Sequence, residues 1–236
     1  FGDTLQKGLP SPLHGITSRN FAEIAAEIYA AHEIIVFLPP ADAVLSTPEL
    51  SFAVRALEAD GGLVISASHN PPDDNGSKFY HHHGGQLVPP FDEQLEQHTQ
   101  TDQRIERMSM DRAIANGLVR EIPASVHAEY VQSNLKVSRT PAERSAKIVF
   151  SPLHGTGDTT VADVLQAAGF ECVVEPTQSK HDGSFPAVPF RTPNPEHPAT
   201  LNAAIQTARS TGANLVMACD PDADRLGVGV LHNGEW

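Results

Sequence analysis

Short apolar runs alternate with amphipathic stretches in both halves of this chain, and that rhythm limits the fold more than any other feature. Residues 18–31 carry Phe21, Ile24, Ala25, Ile28 and Tyr29 on one helical stripe. Asn20 with Glu23 is placed to form a capping box. Residues 34–38 read as a strand, stopped by Pro39-Pro40. Thr47-Pro48 opens a second helix as N-cap and first residue, with Leu50, Val54 and Leu57 inward, and Asp60-Gly61-Gly62 ends it. Residues 63–66 are the next strand. Helix, strand, helix, strand at this spacing predicts a mostly parallel sheet. Ligands of such sheets sit beyond the carboxyl ends of the strands.

The middle of the chain is more polar. Residues 79–88 predict a hairpin turning on Gly84-Gly85. His81, His82 and His83 would then alternate across a strand, which suits a packed or solvated hairpin better than a metal site. Residues 93–103 and 109–116 read as solvated helices, and 125–137 as a further helix. Residues 139–145 are polar and carry Pro141, so the domain boundary is placed there. A second unit follows: a strand at 147–150, a glycine turn from Ser151 to Gly157, a helix at 158–168 and a strand at 170–175. The turn is either an ordinary tight connection or a phosphate cradle on helix N–H groups. After a long irregular stretch at 177–197 come a helix at 198–211, strands at 214–218 and 226–231, and a turn at Asn233-Gly234. The fold class is α/β: two consecutive domains with mixed, mostly parallel sheets, residues 1–143 and 144–231.

Two strand ends carry the chemistry. The strand at 63–66 runs into Ala67-Ser68-His69-Asn70-Pro71-Pro72, where the prolines forbid helix or sheet to follow at once. A hydroxyl is thereby displayed beside an imidazole, with Lys78 ten residues on. A nucleophile elbow needs glycines two residues either side of the serine, and none stands there. The strand at 214–218 ends in Cys219-Asp220-Pro221-Asp222-Ala223-Asp224-Arg225. Carboxylates at alternating positions can aim at one centre, which suits a hard divalent cation such as Mg²⁺ with a phosphate oxygen as a further ligand. An EF-hand is rejected because Arg225 and Leu231 occupy the places of its glycine and its final glutamate. A dehalogenase-type phosphatase motif is weakened by Asp224 in its last place. Arg225 adds a planar fork suited to phosphate.

The chain has 236 residues, 40% of them hydrophobic, enough for a packed core. Its net charge of −13 argues against nucleic acid or an anionic membrane as the main partner. Cys172 and Cys219 form no disulfide framework, and the easier reading is a reduced, cytoplasmic setting. No apolar run approaches the ~20 residues of a membrane span, and no signal peptide is visible.

The segments Ser66 to Pro71 and Asp220 to Arg225 resemble the phosphoserine loop and the metal loop of the alpha-D-phosphohexomutase superfamily, the phosphoglucomutase/phosphomannomutase enzymes. The family's T-A-S-H-N-P appears with Ser66 for the threonine, and its D-x-D-x-D-R is intact. The turn at 151–157 and the F-P and P-N-P-E of the following stretch are similar too. The resemblance implies a sugar-phosphate mutase that works through a phosphorylated Ser68 and a sugar 1,6-bisphosphate, with Mg²⁺ on Ser68, Asp220, Asp222 and Asp224. His69 is read as a phosphate contact or proton shuttle, or as a loop histidine that stabilises its own turn. Lys78 is read as a contact to the transferring phosphoryl group, or as a solvated lysine. Arg225 contacts the phosphoserine or positions the metal loop, and Asn70 binds substrate. Phe1, Gly2 and Gly8 fit the family's opening motif, with Lys7 where its phosphate-binding arginine stands; a solvated loop lysine is an equal reading. The family's first helix and strand do not follow that opening. The resemblance further implies that residues 232–236 begin a third domain, that domains III and IV are absent, and that this chain alone is inactive. A phosphopentomutase, a hexose-bisphosphate synthase, a non-catalytic phosphosugar-binding protein and a metal-dependent phosphatase stay open. So do the sugar and the oligomeric state.

Overall fold

The computed structural model describes residues 15–99, 104–138 and 143–236. In the first unit, α1 (Ser18–Ala31) leads to β1 (Val36–Leu38), α2 (Thr47–Ala56) and β2 (Gly61–Ile65). Then come β3 (Ser77–His81), α3 (Phe91–Thr99), α4 (Met110–Ala115), β4 (Val119–Glu121) and α5 (Ala124–Val137). The second unit runs β5 (Lys147–Ser151), α6 (Val161–Ala167), β6 (Glu171–Val174), α7 (Asn202–Thr211), β7 (Leu215–Cys219) and β8 (Leu226–Val230).

The second unit is a four-stranded sheet in the order β6-β5-β7-β8. Its first three strands are parallel and β8 is antiparallel to β7. Alternate residues of β5 and β7 face opposite sides, as a period of two requires. Val149, Val216 and Ala218 pack with Ala204 and Ala208 of α7, and Phe150 and Cys219 with Ala162 of α6. On β8 the alternation is turned round: Leu226, Val228 and Val230 are exposed. The inward position at Gly227 has no room for a side chain against the Pro195 backbone.

In the first unit β1 pairs with β4 in parallel, and β2 with β3 antiparallel. The predicted parallel neighbours β1 and β2 do not pair with each other. Strand β4, unrecognised from its three residues, takes the place beside β1. The fully buried residues of α1 are Ser18, Ala26 and Ala30, next to the large stripe rather than on it. These alanines let α1 lie close to Ala113 and Val119.

Several local expectations are corrected. The capping box on α1 uses Thr17 and Asn20, not Asn20 and Glu23. The N-cap of α2 is Ser46, whose Oγ accepts from the Glu49 N–H (3.2 Å), so Thr47 is already helical. Gly61 and Gly62 belong to β2 rather than to a helix end; a Cβ at Gly62 would strike Val54 and Leu50 of α2. The hairpin expected over 79–88 is reduced to a tight return, with Tyr80 bridged to Gln86, because β3 gives its ladder to β2. The three histidines do not alternate along a strand, since β3 ends at His81. The ring of His83 lies 5.0 Å from that of His81 and 5.3 Å from that of His82. The helices expected at 158–168 and 198–211 each open with a 3₁₀ turn, over Thr156–Thr159 and Pro198–Leu201. The tail of the helix expected at 93–103 falls outside the described residues beyond Thr99.

Candidate active site

Strand β2 delivers the serine loop. Ser66, just past its end, is buried, and its N–H donates to the Gly76 carbonyl (2.9 Å), which extends the β2–β3 pairing by one residue. The Ser66 hydroxyl then works twice. It accepts from the Ser68 N–H (2.8 Å) and donates to Asp222 Oδ1. The turn so closed holds Ser68 at φ +54°, the left-handed region that a non-glycine residue seldom enters. Its Oγ therefore leaves the strand direction and donates to Asp220 Oδ2 at 3.0 Å.

Strand β7 delivers the acidic loop. Asp220 and Asp222 are buried and Asp224 is exposed. Asp220 Oδ1 accepts from the backbone N–H groups of Asp224 (3.2 Å) and Arg225 (3.1 Å), which folds the loop around that carboxylate. Lys78 of β3 reaches across and pairs with Asp222 (2.7 Å) and Asp224 (3.5 Å). The glycine turn braces this loop from below. Thr156 sends both its N–H (3.0 Å) and its hydroxyl (2.9 Å) to the Pro221 carbonyl, and a Cβ on Gly155 would overlap the Pro221 backbone. Here the ordinary-turn reading is the one that accounts for the glycine: these donors serve the acidic loop. His154 in the same turn is buried. Its Nδ1 donates to the Lys180 carbonyl (2.8 Å) and its Nε2 accepts from the Ala187 N–H (3.3 Å), which tethers the irregular stretch that follows.

The electrostatics follow from burial and charge crowding. Burial first, then the charges of Asp224 and Asp222, push the Asp220 carboxyl up to about 7 against the bonds from Ser68 and Arg225. Three carboxylates held this close repel one another unless a cation or a proton lies among them. One ligand oxygen from each of Asp220, Asp222 and Asp224 lies within 4.8 Å of the others, so the residues fit a divalent ion. Burial alone would lower the Lys78 ammonium, but the bond to Asp222 and the two carboxylate charges outweigh it and hold Lys78 charged. Burial, followed by the Arg225 cation, holds His69 below the ordinary imidazole value.

Of the residues singled out from sequence, Ser68, Lys78, Asp220, Asp222 and Asp224 meet in one place. His69 Nδ1 lies 3.3 Å from Ser68 Oγ. Arg225 binds Asp220 through its backbone, while its guanidinium pairs with the exposed Glu196 (3.1 Å). Asn70 is exposed at the loop tip, its N–H donating to the Ala67 carbonyl (3.1 Å). Lys7 lies outside the described residues. Sequence reading missed the work of Ser66, Thr47 and Thr156. For Ser66 a signal existed, a hydroxyl closing an otherwise apolar strand. For Thr47, whose N–H donates to the Asp222 carbonyl (3.0 Å), none did. Behind the serine loop a cavity of about 460 Å³ separates β1 and β2. It is apolar along Phe37, Leu45, Leu63 and Ile65, and polar where Ser66, Asp222 and His181 reach it.

Comparisons with known proteins point to one family. Residues 15–106 match the family model described as phosphoglucomutase/phosphomannomutase, alpha/beta/alpha domain I, and residues 125–233 match domain II. The phosphoglucomutase of Staphylococcus saprophyticus is 36% identical over 214 residues, covering 89% of this chain and 38% of that protein. The Staphylococcus aureus phosphoglucomutase is 35% identical over 216 residues with the same shares. The chain thus spans about 38% of the length of the curated relatives it matches. Among solved structures, a putative phosphomannomutase from Thermus thermophilus superposes with a TM-score of 0.70 at 26% identity, covering 90% of this chain and 45% of that one. The open form of the Paramecium phosphoglucomutase pp63/parafusin gives 0.66 at 18% identity over 94% and 44%, a likeness of fold alone. Among the described residues no helix is long and apolar enough to cross a membrane.

Proposed function

We propose, from the premise that this chain belongs to the phosphoglucomutase/phosphomannomutase family, that it supplies the phosphoserine and metal-binding half of an enzyme interconverting sugar 1-phosphates and sugar 6-phosphates. The observation that carries the reading is the 3.0 Å hydrogen bond from Ser68 Oγ to Asp220, made between two loops 152 residues apart in the chain. A hydroxyl delivered to an acidic trio is where a phosphoryl group and a divalent cation would meet. Phosphorylated Ser68 would carry roughly −1.5 to −2 charges and three acceptor oxygens. A bound Mg²⁺, held by Asp220, Asp222, Asp224 and a phosphoryl oxygen on Ser68, would draw charge from phosphorus and ease its transfer.

The chain's own residues set the stage around that transfer. The left-handed turn at Ser68 presents Oγ beyond the strand end, where a sugar hydroxyl can approach the phosphorus. In the exchange the Ser68 Oγ–P bond breaks as the bond from the sugar oxygen to phosphorus forms, and the proton given up by the sugar hydroxyl ends on the departing Ser68 Oγ, which His69 Nδ1 approaches to 3.3 Å. Return of the other phosphate from the 1,6-bisphosphate restores phosphoserine. Lys78 keeps its charge beside Asp222 and Asp224 and limits their mutual repulsion. His69, neutral at physiological pH, lies within reach of the reacting oxygen, and Arg225 and Asn70 stand at the rim for the substrate's phosphate and hydroxyls.

Replacing Ser68 by Ala in the full-length protein should abolish interconversion of glucose 1-phosphate and glucose 6-phosphate. The Ser68 peptide of the wild type should carry about 80 Da more than its sequence mass, one phosphoryl group. Undiminished mutase activity in the alanine variant would refute the assignment.

A further inference from the structure

The contact between the two units contains an ionisable bridge that the phosphoryl chemistry does not use. His127 of α5 places Nδ1 2.8 Å from Glu49 Oε1 of α2, and Nε2 3.2 Å from Asp163 Oδ2 of α6. Ionised carboxylates only accept, so a ring that bonds both must donate from both nitrogens, which makes it an imidazolium. Glu49 is 3% exposed, and a carboxylate that deep requires a partner. Burial by itself would lower the His127 value, but the bonds and charges of Glu49 and then Asp163 raise it. The titratable groups facing the ring are Glu49 from α2 and Asp163 from α6. One turn along α5, Tyr130 meets Phe52 of α2 edge-on at 5.7 Å.

Helix α2 is also the element whose first amide, Thr47 N–H, holds the Asp222 carbonyl at 3.0 Å. Glu49 stands within the same helical turn. A continuous path therefore runs from Asp163 through His127 and Glu49 to Thr47 and the acidic loop. An α-helix is stiff over one turn, so a pull at Glu49 is delivered at Thr47. Small errors of placement at a phosphoryl-transfer centre are expensive in rate.

We propose that His127 is a positioning residue: by bridging Glu49 and Asp163 it seats α2 against the second unit and keeps Asp222 in register with Ser66 and Ser68. The proposal rests on reading the acidic trio as the metal site. His127 itself touches neither metal ligand nor serine.

The test uses the 236-residue chain with two readouts: hydrogen-exchange protection of the Thr47 amide, and Mn²⁺ affinity by titration. Val149, in the core of β5, serves as the reference amide for global stability. His127→Ala should lower Thr47 protection by about fivefold or more, the scale of one lost hydrogen bond, with Val149 changing less. Mn²⁺ should bind several-fold more weakly. His127→Gln, whose amide still donates to one carboxylate, should fall between, and it guards against a variant that fails to fold. Wild-type Thr47 protection should decline as pH rises through the raised imidazolium value, and the decline should flatten in His127→Gln. Thr47 and Val149 falling together, or an unchanged Thr47 with an unchanged pH slope, overturns the proposal. If the wild type binds no Mn²⁺, the metal reading fails while the exchange measurements still decide on the bridge.

Discussion

The second unit sets its acidic loop on β7, an inner strand of a four-stranded sheet, whereas the first sets its serine loop on β2, whose only partner among the described residues is β3. The cores differ in the same sense. Behind the acidic loop lie Val149, Leu153, Val216 and Ala218, all at 0% exposure. In the first unit the buried cluster between α1, α4 and β4 is mostly alanine: Ala26, Ala30 and Ala113, with Val119. The acidic trio thus rises from its own sheet, with the Thr47 N–H of α2 adding one hold from the first unit on the Asp222 carbonyl. The serine loop is placed by what it grips: Ser66 on Asp222, Ser68 on Asp220 and Lys78 on both Asp222 and Asp224. One half of the site is a fixed template, and the other is located against it.

The largest test of that contrast is a cavity in the template. Phe150→Ala removes a fully buried ring on β5, the neighbour of β7, and should cost about 3–5 kcal/mol by urea unfolding. Exchange protection should fall in both loops, because the serine loop loses its anchor. Loss confined to the acidic loop would break the comparison.

Lys78→Met attacks the grip instead. It leaves Asp222, which is 3% exposed, without its cation, and should cost the metal-free protein about 2–4 kcal/mol. Mn²⁺ should restore much of that loss, raising the melting temperature of the variant more than that of the wild type. Equal metal-induced shifts would mean that Lys78 does not share the cation's place.

A milder probe is pH. The Asp220 carboxyl sits at about 7 against an ordinary 3.8, so the folded protein holds a proton that the unfolded chain has released. Stability from this group is complete below the ordinary value and is lost as pH rises toward 7. His127, also raised, contributes in the same direction: its stabilisation is present below the ordinary imidazole value and lost as pH rises through the raised one. Metal-free protein should therefore melt higher near pH 5 than near pH 8 in scanning calorimetry. Saturating Mg²⁺ should flatten or reverse the trend by favouring the ionised trio. A metal-free melting temperature that climbs with pH contradicts the crowding.

The smallest effect belongs to the rim. Glu196→Gln removes an exposed ion pair with Arg225 and should change stability by no more than about 0.5 kcal/mol in the same unfolding assay. Arg225 holds the loop through its backbone, so Mn²⁺ affinity should hardly move. A tenfold change would show that the guanidinium's partner matters to the template.

The motifs were legible because each is local. A strand end, a proline stop and alternating carboxylates are properties of adjacent residues, and β2, β7, Ser68 and the acidic trio were all found that way. Element ends were less legible, since Ser46 rather than Thr47 caps α2 and two helices open with 3₁₀ turns. Strand β4 has three residues and no alternation long enough to read. The histidine triplet was misplaced because β3 gives up its ladder at His81, a decision made by β2.

By itself the chain's order of residues determined the α/β class, the two loops and the hydroxyl and carboxylates they carry, because these depend on propensities and spacings within a few residues. Only the folded molecule decided that Ser66 closes the serine's turn, that Lys78 spends its charge on two carboxylates, and that the first amide of α2 and the bridge at His127 hold the acidic loop. Those contacts join residues far apart in sequence, and they exist because bringing the two units together leaves buried charges and donors that must find each other.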